Sequence, residues 1–458
     1  MKLKLGKKMS MTLVALCLPL LGMAQEQQQA SVSNTPIELT LDLALEIALN
    51  ENPTVKVADL EIEKKKHEKK STQSSLYPQI DAVGQYSRSV KKQVMSMEMG
   101  GQKMDIEVGK DNTWTAGGNL NWPIIVPTLW KSIQLSSLDV ELAVESARSS
   151  KINMINSVSK AYYQALLAQD AYNVLEKSYD NAVLNHENIN QKYKQGIVSE
   201  YDLIQADVNA KNIKPELIQA KNALELAALS LKAFMGIDMD QAIIVSGSLL
   251  DYEQELYAQL LKVNPSLENN SDLKQFDLQT KQLKKSLEIY KMQYMPTLAI
   301  TGNYMYTSMY DDKESPKPDF TSSTVGVSLS IPIFDGFRKH NDIKKTKVNL
   351  QQMEWQREDI ERNLELVVTS NMNNMVNYAE QVESTRDVVA QAQKGYEISQ
   401  KLYDTGMVTL LEVNSAQLGL TQASLAYNQA IYNFLASKAD LDKTLGIEPA
   451  IIVENNKK

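Results

Sequence analysis

The chain is written twice. Tyr193-Lys194-Gln195-Gly196 returns as Tyr403-Asp404-Thr405-Gly406 at an offset of 210 residues, and the same offset pairs Phe234-Met235-Gly236-Ile237 with Thr444-Leu445-Gly446-Ile447 without a gap. Upstream, Leu120-Asn121-Trp122-Pro123-Ile124 pairs with Leu329-Ser330-Ile331-Pro332-Ile333, and Tyr77-Pro78 pairs with Met295-Pro296, each of the latter followed by an alternating segment that holds Gly84 or Gly302. A duplicated chain folds as two copies of one unit, so each half constrains the other. Both halves read as helix, strand, loop, strand, very long helix, Gly turn, helix.

The long helices follow from what is missing. From about Leu129 to Gln195, and from about Phe337 to Thr405, there is no Pro and almost no Gly to interrupt a helix. Val368, Met375, Val382, Val389, Tyr396 and Tyr403 lie seven apart, and so do Val158, Ala165, Tyr172, Tyr179, His186 and Tyr193. A seven-residue apolar repeat is the coiled-coil period. At about 1.5 Å per residue such helices are rods of roughly 100 Å, far longer than a globular domain needs. Gly196 and Gly406 suit the left-handed residue that ends a helix. The returning helices run from about Glu200 to Ala233, with a kink expected at Pro215, and from about Leu410 to Leu445.

The strands alternate. Trp114, Ala116, Gly118, Leu120, Trp122 and Ile124 are apolar or small, with Thr113, Thr115, Gly117, Asn119, Asn121 and Pro123 between them. Val325, Val327, Leu329, Ile331 and Ile333 alternate with Thr324, Gly326, Ser328 and Ser330, and Leu298, Ile300, Tyr304 and Tyr306 do the same on the strand before. Period 2 with one polar face fits a barrel wall between lipid and lumen, and Trp114 and Trp122 bracket their strand as aromatic girdles would. A soluble sheet with one wet face has the same pattern. The paired strands are joined by polar loops at about Ser96 to Lys110 and Ser308 to Asp319.

The start of the chain reads as a secretory signal. Lys2, Lys4, Lys7 and Lys8 precede an apolar run from Met11 to about Leu21, and Gly22-Met23-Ala24 offers a small-x-small cleavage site. The run is shorter than the roughly 20 residues of a spanning helix. The single cysteine, Cys17, lies inside this segment after Leu16, where a lipid-anchored signal would place a small residue, so no lipid anchor is expected. Loss of residues 1–24 would leave a chain without cysteine and would shift the formal charge from -8 to -12, since four lysines and no acids go. An acidic chain is a poor partner for nucleic acid.

At this point the sequence resembles the TolC-like outer membrane factor family over nearly the whole chain after the signal. The motif Tyr193-x-x-Gly196-x-Val198-x-x-x-Asp202, repeated as Tyr403-x-x-Gly406-x-Val408-x-x-x-Glu412, is similar to that family's helical tip, and Leu329-Ser330-Ile331-Pro332-Ile333-Phe334-Asp335-Gly336 is similar to its strand-to-helix junction. The first-half junction departs, with Ile125-Val126-Pro127, and is not expected to turn the chain in the same way. The resemblance implies a mainly α fold with a small transmembrane β-barrel contribution. Two internal repeats each supply a β-hairpin and a long coiled-coil helical hairpin, and trimerisation completes a 12-stranded barrel and an α-helical tunnel. The expected organisation is a signal peptide at 1–24 and a first repeat at 25–236, with a helix at about 39–76, strands at about 79–95 and 111–126, and a helical hairpin at about 128–236. An equatorial connector at 237–270 leads to a second repeat at 271–447, with a helix at about 271–294, strands at about 296–308 and 320–334, and a hairpin at about 337–446. A tail covers 448–458.

The same resemblance implies a function. Such a trimer is the exit duct of a tripartite efflux or type I secretion system, set in the outer membrane of a Gram-negative cell and reaching into the periplasm. Its partners would be two further copies of itself, outer-membrane lipid, a periplasmic adaptor (membrane fusion) protein and an inner-membrane pump of the RND or ABC type. Gly196, Ile197, Gly406 and Met407 would form the adaptor-contacting tips, though αL capping with flanking apolar residues accounts for them equally. Tyr193, Asp202, Tyr403 and Glu412 match the family's gate, with Gln205 beside the first pair. Val408 stands where the family can carry arginine and Ser415 where it can carry a second aspartate, which makes this gate less charged. Three copies of Glu412 around a narrow axis would select cations; a solvated helix carboxylate is the plain alternative.

The remaining residues point to no chemistry. His67, His186 and His340 are scattered, the tyrosines on the heptad line are more often packing than cargo contacts, and Lys64 to Lys70 is most simply a solvated helix face. There is no Gly-rich phosphate loop, no H-E-x-x-H and no nucleophile elbow, so neither an enzyme nor a cofactor is expected. The competing class is a secreted coiled-coil adhesin or scaffold without a pore, which has no use for four alternating segments with Trp brackets; a periplasmic enzyme on a helical scaffold lacks a catalytic constellation.

Overall fold

A computed structural model describes residues 36–99, 102–254, 256, 265–312 and 320–448. The expected signal at 1–24 and the tail beyond Glu448 lie outside these residues, as do 313–319 of the second loop and much of 255–264 in the connector.

The chain opens with β1 (Ile37–Leu39), α1 (Leu41–Glu51) and α2 (Pro53–Ser74). The single helix expected over 39–76 is therefore a strand end and two helices. The cause is local: Pro53 forces the residue before it out of the α region, and Asn52 sits at φ -64°, ψ 127° with its side-chain oxygen accepting from Thr54 N–H at 2.7 Å. Then come β2 (Gln79–Arg88), β3 (Gln93–Met99), β4 (Gln102–Val108) and β5 (Asn112–Ile125). The polar loop expected over 96–110 is instead a two-stranded antiparallel ladder, with Met97 opposite Met104. Its apolar residues at every second position are strand periodicity that the polar composition between them conceals.

Two long hairpins dominate. In the first, α3 (Pro127–Lys194, 68 residues) returns as α4 (Glu200–Met235). At α3's heptad positions Val158 and Ala165 are buried. Pro215 lies inside α4, and the helix continues through it. β6 (Ile243–Val245) then pairs in parallel with β1. In the second half, α5 (Ser271–Met292) leads to β7 (Thr297–Tyr310) and β8 (Phe320–Ser330), and α6 (Arg338–Asp404, 67 residues) returns as α7 (Leu410–Leu445). The heptad positions Val368, Met375, Val382 and Tyr396 are buried. The two strand-to-helix junctions differ as expected: Pro127 begins α3 directly, whereas Gly336 and Phe337 both take positive φ, at 67° and 65°, before α6.

The main core is shared by the two helical hairpins and the short β1–β6 pair. Leu39, Leu45, Val158, Tyr162, Leu166, Leu231, Met235, Met375, Ile431 and Phe434 belong to one buried cluster drawn from both repeats. Tyr162 donates its hydroxyl to Ser246 O at 2.8 Å, which fastens the β1–β6 pair to α3. The two halves use the same chemistry here. Asn52 donates its amide to Phe234 O at the end of α4, and Asn270 donates to Thr444 O at the end of α7, both at 2.7 Å. Each half thus satisfies one orphan carbonyl of its returning helix with an asparagine that also caps its own leading helix.

The four main strands form one antiparallel sheet in the order β2-β5-β7-β8. The register gives the two faces opposite chemistry. Ile80 lies opposite Leu120, Trp122 opposite Ile300 and Ile300 opposite Val327, with Tyr304 and Val325 on the same side. The other side carries Gln79, Asp81 and Gln85, Asn119 and Asn121, Thr301 and Asn303, and Thr324 and Ser322. Nothing among the described residues covers the apolar side: Ile80 is 78% exposed, Val325 82% and Val327 70%.

Candidate functional site

The ends of the hairpins are built alike. At the first, Gly196 takes φ 72° and Ile197 N–H reaches back to Lys192 O at 2.9 Å; at the second, Gly406 takes φ 75° and Met407 N–H reaches Leu402 O at 2.9 Å. These are left-handed closures with a six-to-one hydrogen bond, the geometry that spares the last carbonyls of a helix. No atom lies within 4 Å of where a Cβ would stand on either glycine, so the backbone conformation and not crowding calls for glycine there. Ile197 and Met407 project into solvent, 66% and 73% exposed.

The acidic residues of the tip motif begin the returning helices. Ser199 and Thr409 are N-caps, and Asp202 and Glu412 complete capping boxes. Ser199 N–H donates to Asp202 at 3.2 Å, and Thr409 N–H donates to Glu412 at 2.7 Å. Both carboxylates therefore have a structural partner in their own chain, Glu412 on an exposed surface and Asp202 half-buried. Ser415 bonds back to Leu411 O within its helix, and Gln205 donates to Tyr201 Oη.

The two tyrosines separate. Tyr193 is exposed, whereas Tyr403 packs with Val198 and Leu203 against Ile189, Ala206 and Leu410, a small core between the two hairpin ends. Its hydroxyl is buried and has no hydrogen-bond partner among the described residues. Burial, and secondarily the charges of Asp202 and Asp404, push its pKa up, so the phenol stays neutral and available as a donor. Lys192, at the end of α3, lies over the Tyr403 ring at 5.5 Å and pairs with Asp404, at the end of α6, at 3.1 Å. The four motif residues are thus gathered at one end of the molecule, but the ties between hairpins run through Lys192, Asp404 and Tyr403. Nothing in the sequence marks Lys192 or Asp404 for this role beyond adjacency to Tyr193 and Tyr403.

Above the tips the contact between repeats is polar and buried. Gln417 on α7 donates to Ser178 O on α3 at 2.7 Å, and Thr421 donates to Ser178 Oγ at 3.1 Å. Asn209 on α4 donates to Asn414 on α7 at 3.3 Å. An apolar interface would slide more readily than one in which each displaced group must find a new partner.

At the opposite end, charges tie three strands together. Lys92 pairs with Asp311 at 2.8 Å and Asp111 at 3.2 Å, Lys110 pairs with Asp311 at 2.9 Å, and Arg88 pairs with Asp312 at 2.7 Å. The hydrogen bond from Lys92, reinforced by Lys110, holds the Asp311 carboxyl well below the usual carboxylate range, and in return Asp311 and Asp111 push Lys92 up to about 12.

Comparison with known proteins agrees with this architecture. The family model described as outer membrane efflux protein matches residues 44–237 and 263–447. The outer membrane protein TolC of Escherichia coli is 21% identical over 363 residues, 75% of this chain and 72% of its own. The toluene efflux pump outer membrane protein TtgC of Pseudomonas putida is 21% identical over 412 residues, 87% of this chain and 81% of its own. The crystal structure of the Campylobacter jejuni CmeC outer membrane channel superposes with a TM-score of 0.70 at 18% identity, covering 91% of this chain and 89% of that one.

Proposed function

Because the chain belongs to the outer membrane efflux protein family, we propose that it is an exit duct of the outer membrane, a conduit with no chemistry of its own that passes cargo from an inner-membrane pump to the outside. The observation that carries this reading is the uncovered apolar face of a sheet with two open edges, β2 and β8. A backbone edge cannot stay unpaired in hydrocarbon, and four strands do not close a barrel. Three chains would pair β8 of one with β2 of the next, giving twelve strands, lipid against Ile80, Val325 and Val327, and water against Asn119, Asn303 and Thr324. The helices, at roughly 100 Å, would carry the lumen on across the periplasm.

The closed end of this duct is the hairpin tips. Tyr193, Asp202, Tyr403 and Glu412 line the constriction, and Lys192 with Asp404 latches one hairpin of a chain to the other. Gly196, Ile197, Gly406 and Met407 meet the periplasmic adaptor, which opens the tips by replacing these ties. The relatives include a toluene efflux component, and small-molecule efflux is the cargo class we infer; one-step protein secretion is the competing use of the same conduit.

Mass measurement of the native protein extracted from envelopes in detergent tests the reading. A species of three protomers in the outer-membrane fraction, conducting ions in a planar bilayer, is the expected result. A water-soluble monomer would end the barrel account and leave a coiled-coil scaffold.

A further inference from the structure

We propose that the β3–β4 hairpin carries a soft-metal site, in which the thioethers of Met95, Met97 and Met104 hold a monovalent cation of the Cu(I) or Ag(I) type. The ladder pairs Met97 with Met104 directly and Met95 with Ile106. Met95 and Met97, two apart on one strand, share a face, and Met104 stands on that face across from Met97 and diagonal to Met95. Directly opposed residues have Cβ atoms about 4.5–5.5 Å apart and diagonal ones about 7–8 Å, within the span that flexible methionine side chains can close around one ion. All three are open to solvent, at 52%, 56% and 51% exposure.

The residue choice itself needs a reason. A β-ladder favours branched and aromatic side chains, and Val94, Ile106 and Val108 of this hairpin conform. Methionine gains nothing from the pleat and loses more rotamer freedom when ordered than a branched residue does. Burial among the described residues does not explain three of them on one face, because none of those residues covers it: β3 and β4 form a sheet of their own, apart from the four-stranded one. What methionine alone supplies is a neutral, polarisable sulfur, and thioethers select Cu(I) over harder ions.

The opposite face holds the hard groups. Ser96 donates to Asp105, and Glu98 and Glu107 share that side, so an acidic ligand set and the sulfur set are kept apart by the strand. No group of three or more His, Cys, Asp or Glu able to hold a metal occurs among the described residues. Because a thioether has no proton to lose, binding should be independent of pH, unlike a thiolate or imidazole site. The site does not depend on the duct reading.

The test is a calorimetric titration of the detergent-solubilised full chain with Ag(I) in chloride-free buffer, alongside Cu(I) in competition with a chromophoric chelator. Near-stoichiometric binding per chain is expected, equal at pH 5 and pH 7.5, with no binding of Zn(II) at that face. Met97→Leu, which removes the sulfur adjacent to both others, should weaken binding at least tenfold. Met95→Leu/Met97→Leu/Met104→Leu should abolish it while circular dichroism and oligomeric state are kept, since leucine conserves the apolar volume. Absence of Ag(I) binding to the wild type would overturn the proposal, and so would its full retention by the triple variant, which would assign the methionine face to packing against another surface.

Discussion

Glu412 is at once a helix cap and the leading candidate for a charge at the closed tip, and a substitution has to separate the two. Glutamine at the third helical position can still reach back to the cap N–H, so Glu412→Gln removes the charge and leaves the start of α7 formed. The cation preference of the closed-state current should fall; an unchanged preference would remove Glu412 from the gate. Thr409→Ala does the reverse. It takes away the cap acceptor at a loss of about 0.5–2 kcal/mol, which should raise deuterium uptake over 409–413 by roughly two- to thirtyfold while ion preference is kept. Lys192 is the residue we expect to matter most for closure. A partly exposed ion pair contributes about 0.2–1 kcal/mol, so three copies in the proposed trimer would bias a closed state by about 0.6–3 kcal/mol. Lys192→Met should then raise open probability in bilayer recordings roughly three- to a hundredfold. A variant that stays as closed as the wild type would show that the Lys192–Asp404 pair is ornament to the packing of Tyr403. The Lys192–Asp404 tie is not visible in a sequence, because the two residues lie on different rods and meet only when the hairpins pack.

The strand ends show how a network of modest charges acts on an element. Asp311 reaches Lys92, Lys110 and the N–H of Asp111, so it joins the turn after β2 to the start of β5 and the end of β7. Its depressed pKa places the stability it contributes above the ordinary carboxylate value, to be lost only as pH falls through the lower folded value; that of Lys92, raised, is complete below the ordinary lysine value and is lost as pH rises through about 12. From pH 7 to pH 4, deuterium uptake of residues 89–93, corrected for intrinsic rate, should therefore stay constant in the wild type. Asp311→Asn should raise it at both pH values; an uptake that climbs at pH 4 in the wild type would show the carboxylate titrating normally. At this scale the long helices were legible because some 65 residues without Pro carry a seven-residue period over 158–193 and again over 368–403, and so were the four alternating strands. What sequence could not yield were elements set by a single residue or by distant pairing. Asn52-Pro53 breaks a helix whose periodicity carries straight on, and β1 and β6 are three residues each, defined only by one another across some 200 positions. The β3–β4 ladder was hidden because methionine, serine and glutamate have little strand propensity of their own.

For the molecule as a whole, the two faces of the sheet make opposite demands that one pair of substitutions can tell apart. Val327 lies on the uncovered apolar face, opposite Ile300, and Thr324 lies on the polar face, opposite Asn303. In a chain surrounded by water both are surface sites, and a lysine at either would change stability by about 0.5 kcal/mol or less. In a closed barrel they are not equivalent. A lysine at Val327 would enter hydrocarbon at a loss of about 2–4 kcal/mol near the midplane, and the threefold copy number multiplies this in the assembly. Val327→Lys should therefore deplete the trimer from the outer-membrane fraction. Thr324→Lys should assemble at wild-type levels and shift the open-channel current toward anions, since three added positive charges would face the lumen. Equal recovery of both variants would mean that no lipid touches the apolar face, and the exposed valines would then have to be covered by protein. The helical half of the molecule offers no such test, because no helix in the described residues is long and apolar enough to cross a membrane. On the proposed reading, insertion, assembly and the lumen would all rest on this one sheet, and a one-residue slip of β8 against β7 would carry Val325, Val327 and Leu329 to the wet side together.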